Sequence, residues 1–239
     1  VPVQTKKVLI GDFTATWCGP CGNWGLPTFT GALEILEGAN KSEALSIHSS
    51  DEMSNSVSEE LLTYYEISGI PTLKVWESGE GFSDPVAMAS AVDQELIERP
   101  IAEAGAIMNM VDKGTTLEIQ VSAGIFLPVT GDYFISAYIM EDSLNYEQNG
   151  TSESGDYGPY IHNHVLRGSA NGTWGEQFVY GAAQPGHVKT MTYNIEKDEN
   201  WNMKNVYGLA VVWKYVKDQQ YGDYKYEFVN VISSRDLIK

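Results

Sequence analysis

The chain has 239 residues, of which 15 are lysine or arginine and 32 are aspartate or glutamate, so its formal net charge is −17. A hydrophobic fraction of 43% allows a buried core, and the length suits two domains, which excludes disorder over most of the chain. The negative charge disfavours nucleic acid and anionic lipid surfaces as partners, and no stretch has the roughly 18 uninterrupted apolar residues of a membrane-spanning helix.

The first part of the chain alternates predicted strands and helices. In chain order we predict a buried strand from Val8 to Phe13, a helix from about Gly19 to Leu36, a strand from Ala44 to His48, a helix from Ser56 to Tyr65, a strand from Pro71 to Trp76, a hairpin turn over Glu77 to Gly81, a partner strand from Pro85 to Ser90 and a helix from Asp93 to Met110. This order predicts an α/β domain with a mixed sheet covered by helices.

The second part has no long helical pattern. Its predicted strands are Leu117–Val121, Tyr133–Met140, Tyr160–Leu166, Gln177–Tyr180, Val188–Tyr193, Val206–Lys214 and Tyr224–Ile232. Short strands at this spacing favour an all-β antiparallel sandwich of the immunoglobulin-like or jelly-roll-like kind. Because charge and tyrosine content also change near Asp112 to Thr116, we predict two domains, residues 1–113 and residues 114–239.

The two cysteines of the chain lie in the sequence Trp17-Cys18-Gly19-Pro20-Cys21, between a predicted buried strand and a predicted helix. A helix N-terminus has free N–H groups and a partial positive charge, which favour a thiolate at Cys18 over a thiol. Cys21, one turn into the helix, would attack a mixed disulfide formed by Cys18. The alternative is a structural disulfide or a pair of buried thiols.

These residues resemble the thioredoxin superfamily over about Lys7 to Met110. Asp12, six residues before Cys18, and the sequence Ile70-Pro71-Thr72 support the resemblance. The resemblance implies that Asp12 is buried behind Cys21 and relays its proton, and that Pro71 follows a cis peptide bond in a loop that faces the dithiol. The alternative for Asp12 is an ordinary strand-end or turn carboxylate. The lysine that accompanies the buried aspartate in thioredoxin has no match in this sequence.

The resemblance also assigns the candidate site. The implied catalytic residues are Cys18, Cys21, Asp12 and Pro71, and the implied substrate-binding residues are Trp17, Gly19, Pro20, Ile70 and Thr72. It implies no cofactor besides the redox-active disulfide, a protein or peptide disulfide as substrate, and an unidentified electron donor or acceptor. Since the Gly-Pro between the cysteines is that of thioredoxin, a reductase is the first expectation.

Four segments of the second part are distinctive: Tyr138–Asp142, Tyr160–Arg167, Asn171–Glu176 and Phe228–Ile232. Together they resemble the outer-membrane-protein-28-like family of Gram-negative bacteria, over about Thr115 to Lys239. The resemblance implies an exported protein of the periplasm, outer membrane or cell surface, with a lipid anchor on the precursor as one option. A start at Val1 without methionine fits a processed or trimmed form.

His162 and His164 alternate along a predicted strand and would therefore share one face. Two imidazoles with a carboxylate are able to bind a metal, but no third ligand is evident, so packing or hydrogen bonding is the favoured role. We therefore predict no metal site.

The sequence predicts an exported thiol–disulfide oxidoreductase that reduces or exchanges protein disulfides through Cys18 and Cys21. The β-sandwich domain would select or tether substrates. The alternative is a binding or adhesion protein of the cell envelope, in which the thioredoxin-like domain is a scaffold. The size of the second domain and its tyrosine and tryptophan content motivate that alternative.

Overall fold

The computed structural model describes residues 1–217 and 224–237. The α-helices are α1 (Leu26–Leu36), α2 (Ser56–Tyr64) and α3 (Pro85–Glu98), with a π-helical turn at Cys21–Gly25 and a 3-10 turn at Ser234–Leu237. The strands are β1 (Val8–Thr14), β2 (Ser42–His48), β3 (Thr72–Val75), β4 (Gly79–Glu80), β5 (Ala104–Asp112), β6 (Thr116–Ile125), β7 (Val129–Thr130), β8 (Asp132–Glu141), β9 (Leu144–Asn149), β10 (Tyr157–His162), β11 (Val165–Ser169), β12 (Glu176–Val179), β13 (Ala182–Ala183), β14 (Val188–Glu196), β15 (Val206–Lys217) and β16 (Tyr224–Ser233).

The chain forms two compact units, each made of separate stretches of sequence. One, which we call the mixed unit, contains Val8–Glu98 and Met140–Gly168. The other, the strand-rich unit, contains Val1–Lys7, Arg99–Ile139 and the residues from Ser169 onward. The mixed unit is therefore assembled from the first part of the chain and a segment of 29 residues from the second part (140 to 168).

The mixed unit is built on a sheet with the strand order β11-β2-β1-β3-β4. β1 pairs in parallel with β2, as does β11 with β2, whereas β3 is antiparallel to β1 and to β4. Every residue of β1 is buried, as expected of a central strand covered on both faces. Gly11 is required in this strand because a Cβ there would lie 2.6 Å from the Trp76 ring.

The core of the mixed unit lies between this sheet and the helices α1 and α3. Val8 and Ile10 of β1 contribute to it, together with Phe29 of α1 and Met88 of α3. The mixed sheet with covering helices is thus confirmed. The sequence prediction of a buried strand followed by a helix, on which the cysteine motif depends, is confirmed as well.

The end of the first part folds differently from the sequence prediction. Residues 85–90 do not form a strand; α3 begins there, because the Asp84 side chain accepts a hydrogen bond from the backbone N–H of Ala87 and so caps the helix. The helix predicted from Asp93 to Met110 is also wrong, since α3 ends at Glu98 and β5 follows. The apolar residues on which the helix prediction rested, Ala104, Ile107 and Met108, lie in β5, whose first three residues are all buried.

The strand-rich unit contains a three-stranded antiparallel sheet, β14-β6-β5, and a second sheet in which β16, β15 and β8 are neighbours and β12 pairs with β8. A short β7–β13 pair accompanies them. Both larger sheets contribute to one core, for example Ile119 and Val121 from β6, Ile135 from β8 and Val212 from β15. The predicted strand-rich second part is confirmed, and its sandwich topology stays a prediction.

Two predictions for the second part differ from the structure. The single strand predicted from Tyr160 to Leu166 is interrupted, because His164 has a φ of 57° in a turn between β10 and β11. The boundary predicted at Lys113 falls in a β-hairpin of the strand-rich unit, where the N–H of Lys113 donates to the carbonyl of Thr116. The change in composition there marks a turn.

Candidate functional site

Cys18 and Cys21 form a disulfide directly after β1. The backbone N–H of Cys18 closes a turn onto the carbonyl of Ala15, and Cys21 begins the π-helical turn that leads into α1. The backbone N–H of Cys21 lies 3.2 Å from Cys18 Sγ, so a helix-terminal donor faces this sulfur. Both residues are buried, Cys21 fully and Cys18 with 4% of its surface exposed, so Cys18 is the more exposed residue of the pair.

The loop before β3 packs against the disulfide. The Ile70–Pro71 peptide bond is cis, and the Ile70 carbonyl oxygen lies 3.6 Å from Cys18 Sγ. Pro71 packs on the helix at Gly25, where a Cβ would lie 2.7 Å from the proline Cβ, so only glycine allows this approach. Thr72 begins β3 and donates its hydroxyl to the Gly69 carbonyl.

The other predicted substrate-binding residues surround the motif. The Trp17 side chain is 47% exposed, and its indole N–H donates to the Ser49 carbonyl at 3.1 Å. Pro20 has helical backbone angles, as expected of a proline in a first helical turn. Gly19 and Pro20 line an open groove whose other side is the loop between β9 and β10.

Asp12 lies in the middle of β1 and is fully buried. Neither carboxylate oxygen has a hydrogen-bond partner within the described part of the chain. Burial raises the pKa of Asp12 from 3.8 to about 7, because the apolar surroundings disfavour the charged form. A carboxyl with this pKa exchanges protons readily near neutral pH.

A row of aromatic and imidazole side chains shares the interior of the mixed unit with Asp12. Burial and the charge of Asp12 raise the pKa of Tyr160, whose ring centroid is 4.8 Å from that of His162. The His162 ring in turn meets the His48 ring edge to face at 5.3 Å, and His48 Nδ1 lies 2.7 Å from Asp51 Oδ2. Sequence reasoning missed Tyr160 as a neighbour of Asp12, and His162 as a neighbour of His48, because it assigned Tyr160 and His162 to another domain.

Replacing His162 with phenylalanine should reduce the sensitivity of the fold to acid. Burial, and secondly the charge of His48, lower the pKa of His162 from 6.5 to about 4, so the folded protein resists the proton that the unfolded chain accepts. When the pH falls from 7 to 4, the native protein therefore loses about 3 kcal/mol of unfolding free energy through this residue. The variant has no imidazole and does not show this loss.

Urea unfolding at both pH values measures the difference, with the pH 7 value of each protein as its own reference. The phenyl ring keeps the edge contacts but loses the hydrogen bond to the Tyr146 backbone, so only the change between the two pH values is compared. An equal loss of unfolding free energy in both proteins on going to pH 4 would contradict the assignment.

The end of the β9 strand holds the cysteine loop through four hydrogen bonds. The Gln148 side-chain amide donates to the carbonyls of Ala15 and Cys18, at 3.0 and 3.1 Å. The Asn149 backbone N–H donates to the Thr16 carbonyl at 2.8 Å, and its side-chain amide donates to the Trp17 carbonyl at 2.9 Å. No sequence signal reveals these contacts, because about 130 residues separate the partners.

The two histidines that were expected to share a face do not. His162 ends β10 and is buried, whereas His164 lies in the following turn with its Nδ1 3.8 Å from the Asp142 carboxylate. Within residues 1–217 and 224–237, no group of three or more histidine, cysteine, aspartate or glutamate side chains is placed to hold a metal ion. The helices in these ranges are too short or too polar to cross a membrane.

The sheet, the cis-proline loop and the disulfide at the start of a helix define a protein of the thioredoxin-like class, and the family model described as Thioredoxin matches residues 2–102. A second model, described as Outer membrane protein Omp28, matches residues 58–221, which is more than half of the chain. The chain therefore belongs to the Omp28 family. That match begins within the mixed unit, well before Thr115, where the resemblance was expected to start.

Individual proteins are similar to this chain over different lengths. Protein disulfide-isomerase of Triticum aestivum is 24% identical over 176 residues, which cover 70% of this chain and 32% of that protein, so the chain spans about a third of this curated relative.

Two solved structures are also similar. The match to HBP35 of Porphyromonas gingivalis covers 97% of this chain and 75% of the HBP35 chain, with a TM-score of 0.75 and 17% identity, which shows a shared fold. The match to a domain of the outer membrane lipoprotein Omp28 from Porphyromonas gingivalis covers 53% of this chain and 94% of that domain's chain, with a TM-score of 0.29 and 20% identity.

Proposed function

We propose that this protein is a thiol–disulfide oxidoreductase of the Gram-negative cell envelope, which reduces or exchanges protein disulfides through Cys18 and Cys21. One observation carries the proposal: Cys18 Sγ lies between the helix-terminal N–H of Cys21, at 3.2 Å, and the Ile70 carbonyl of the cis-proline loop, at 3.6 Å. A structural disulfide needs neither a donor aimed at one sulfur nor a loop that faces it. The matches to the thioredoxin model and to protein disulfide-isomerase support the same chemistry.

The reaction begins with the reduced pair. The Cys18 thiolate, stabilised by the N–H of Cys21 and by the helix N-terminus, attacks one sulfur of a substrate disulfide. A bond forms between Cys18 and the substrate, and the second substrate sulfur leaves as a thiolate. The Cys21 thiolate then attacks Cys18 Sγ, which restores the Cys18–Cys21 disulfide and releases the first substrate sulfur. Two electrons pass from the cysteine pair to the substrate.

Asp12 accepts the proton of the Cys21 thiol in this scheme. Its pKa of about 7 lets the carboxylate take up a proton and release it again near neutral pH. Its burial in the strand directly before the cysteine loop supports this role. The role is that of a general base, because the Cys21 sulfur must lose its proton before it attacks.

The substrate chain lies along the loop of Ile70, Pro71 and Thr72 in this proposal. Pro71 is held against the helix at Gly25, which fixes the distance between the loop and Cys18. Trp17 covers the neighbouring side with a half-exposed ring. Gly19 and Pro20 lie on the open groove beside the motif, where a substrate segment would pass.

The cycle requires a partner that reduces the Cys18–Cys21 disulfide again. We expect a thiol donor, either a dithiol or two monothiols, which delivers two electrons by thiol–disulfide exchange and is itself oxidised to a disulfide. Membership of the Omp28 family supports an exported protein in the periplasm or at the outer membrane or cell surface, with a lipid-anchored precursor as one form. The strand-rich unit would select or tether substrates. The division into residues 1–113 and 114–239 is replaced in this proposal by the two compact units.

Reduction of insulin disulfides, with dithiothreitol as the electron donor, tests the proposal. The native protein should accelerate the precipitation of insulin chains over dithiothreitol alone. The control is the double variant Cys18→Ala, Cys21→Ala, which should give only the background rate. Equal rates for the native protein and the control would leave the binding-protein alternative, which predicts a partner whose affinity survives the loss of both cysteines.

A further inference from the structure

The β9–β10 hairpin reaches the cysteine motif at backbone distance. A Cβ at Gly22 would lie 2.0 Å from the Asn149 carbonyl oxygen, and one at Gly150 would lie 2.1 Å from the Gly19 carbonyl oxygen. Side chains at either position would push the two segments apart. Gly150 also has a φ of 88°, a conformation that suits glycine. The backbones of the hairpin and the cysteine motif therefore pack in direct contact, and glycine at both positions allows this packing.

Gln148 makes the most buried of these contacts. Its side chain is fully buried, and its amide nitrogen lies within 3.1 Å of the carbonyl oxygens of Ala15, Cys18 and Asn149. Three carbonyl oxygens around one terminal atom identify that atom as the amide nitrogen, since an amide oxygen would repel them. The two carbonyls of the cysteine loop that Gln148 binds are the two ends of the turn that precedes the disulfide.

We propose that Gln148 is a positioning residue of the redox centre, which holds the Ala15–Cys18 turn so that Cys18 Sγ stays aligned with the backbone N–H of Cys21 when the disulfide opens. The inference rests on the proposed function. It also gives the β9–β10 hairpin a role in the chemistry, although the hairpin follows the thioredoxin-like region in the sequence.

The expected consequence for Cys18 follows from the partial charges. Without Gln148, the carbonyl oxygens of Ala15 and Cys18 lose their side-chain donor and keep only their backbone donors, Cys18 N–H and Gly22 N–H, so their partial negative charge is less compensated. The turn keeps its two hydrogen bonds from Asn149 but loses the two from Gln148, so the Cys21 N–H is held less firmly on Sγ. Both changes disfavour the thiolate, and the pKa of the Cys18 thiol should rise.

The same change lowers the reduction potential. A stabilised thiolate stabilises the reduced form, and this form is less favoured in the variant. We expect the equilibrium constant for reduction by glutathione to fall about three- to tenfold, where tenfold corresponds to about 30 mV for a two-electron couple.

The test compares native protein with Gln148→Met, which keeps the side-chain length and removes the donor. One readout is the glutathione equilibrium. The other is the pH dependence of alkylation of the dithiothreitol-reduced protein by iodoacetamide, which reports the thiol pKa of Cys18 and should move to higher pH. Asn145→Met is the matched control, because Asn145 is an exposed amide on the same strand, and it should change neither readout.

A second variant keeps the inference testable if Gln148→Met does not fold. Asn149→Ala removes the partly exposed donor to the Trp17 carbonyl and should shift both readouts in the same direction by a smaller factor. If the native protein reduces insulin while both variants match it in potential and in alkylation, the positioning role is overturned. If the native protein does not act on insulin but Gln148→Met still moves the alkylation profile, the proposed function fails and the positioning role stands.

Discussion

Replacing Cys18 with serine should lower the rate of disulfide exchange at least about a thousandfold. Cys18 is the more exposed residue of the pair and its Sγ accepts from the Cys21 N–H, so we assign the attack on a substrate to this sulfur. A serine hydroxyl stays protonated at neutral pH and does not form a bond to a substrate sulfur. The insulin assay measures the loss.

Cys21→Ser provides the counterpart to this variant. It keeps the attacking thiolate and removes the resolving one, so the mixed disulfide between Cys18 and the substrate should accumulate. Non-reducing electrophoresis should detect this adduct for Cys21→Ser and not for Cys18→Ser. A Cys18→Ser variant as fast as the native protein, or adducts in both variants, would contradict the assigned order of attack.

Replacing Asp12 with asparagine should stabilise the folded protein at pH 8 by about 2–4 kcal/mol. The folded pKa, about 7, lies above the ordinary value of 3.8, so burying this group favours the protonated form. Its cost to stability is absent below pH 4, grows as the pH rises from about 4 to 7, and is complete above 7. The gain of the variant should therefore be large at pH 8 and vanish near pH 4.

The same variant should slow disulfide reduction about a hundredfold, because the amide does not take the proton of Cys21. Opposite effects on stability and activity distinguish a functional carboxylate from an ordinary one. Asp93→Asn serves as the control, since Asp93 is half exposed in an ion pair with Lys41 and its loss should change stability by less than about 1 kcal/mol. A variant that is less stable than native protein at pH 8 would contradict the buried-carboxylate assignment.

The parts of the site that are close in sequence could be predicted. The apolar run before Cys18 is long enough to identify a buried strand, and the residues after it have a helical period, so the place of the disulfide between β1 and a helix was predictable. The spacing from Asp12 to Cys18 puts the carboxyl in that strand. Asp12 is buried, and its place behind Cys21 stays an expectation of the resemblance.

Contacts between distant residues could not be predicted. Apolar residues from Leu96 to Met108 fit a helical period and a strand period almost equally well, and a cap at Asp84 decided where the helix lay. Gln148 and Tyr160 belong to a segment whose composition resembles the strands around it. Only the folded chain places that segment in the mixed unit, beside Cys18 and Asp12.

A redox titration of the Cys18–Cys21 pair tests the central claim most directly. The protein would be equilibrated with mixtures of reduced and oxidised dithiothreitol or glutathione, with tryptophan fluorescence as the readout because Trp17, one of six tryptophans, adjoins Cys18. We predict a reversible two-electron transition. A midpoint potential near the thioredoxin value of about −270 mV would identify a reductase, and one above about −180 mV would identify an oxidant or isomerase. A disulfide that does not exchange with either couple would contradict the account.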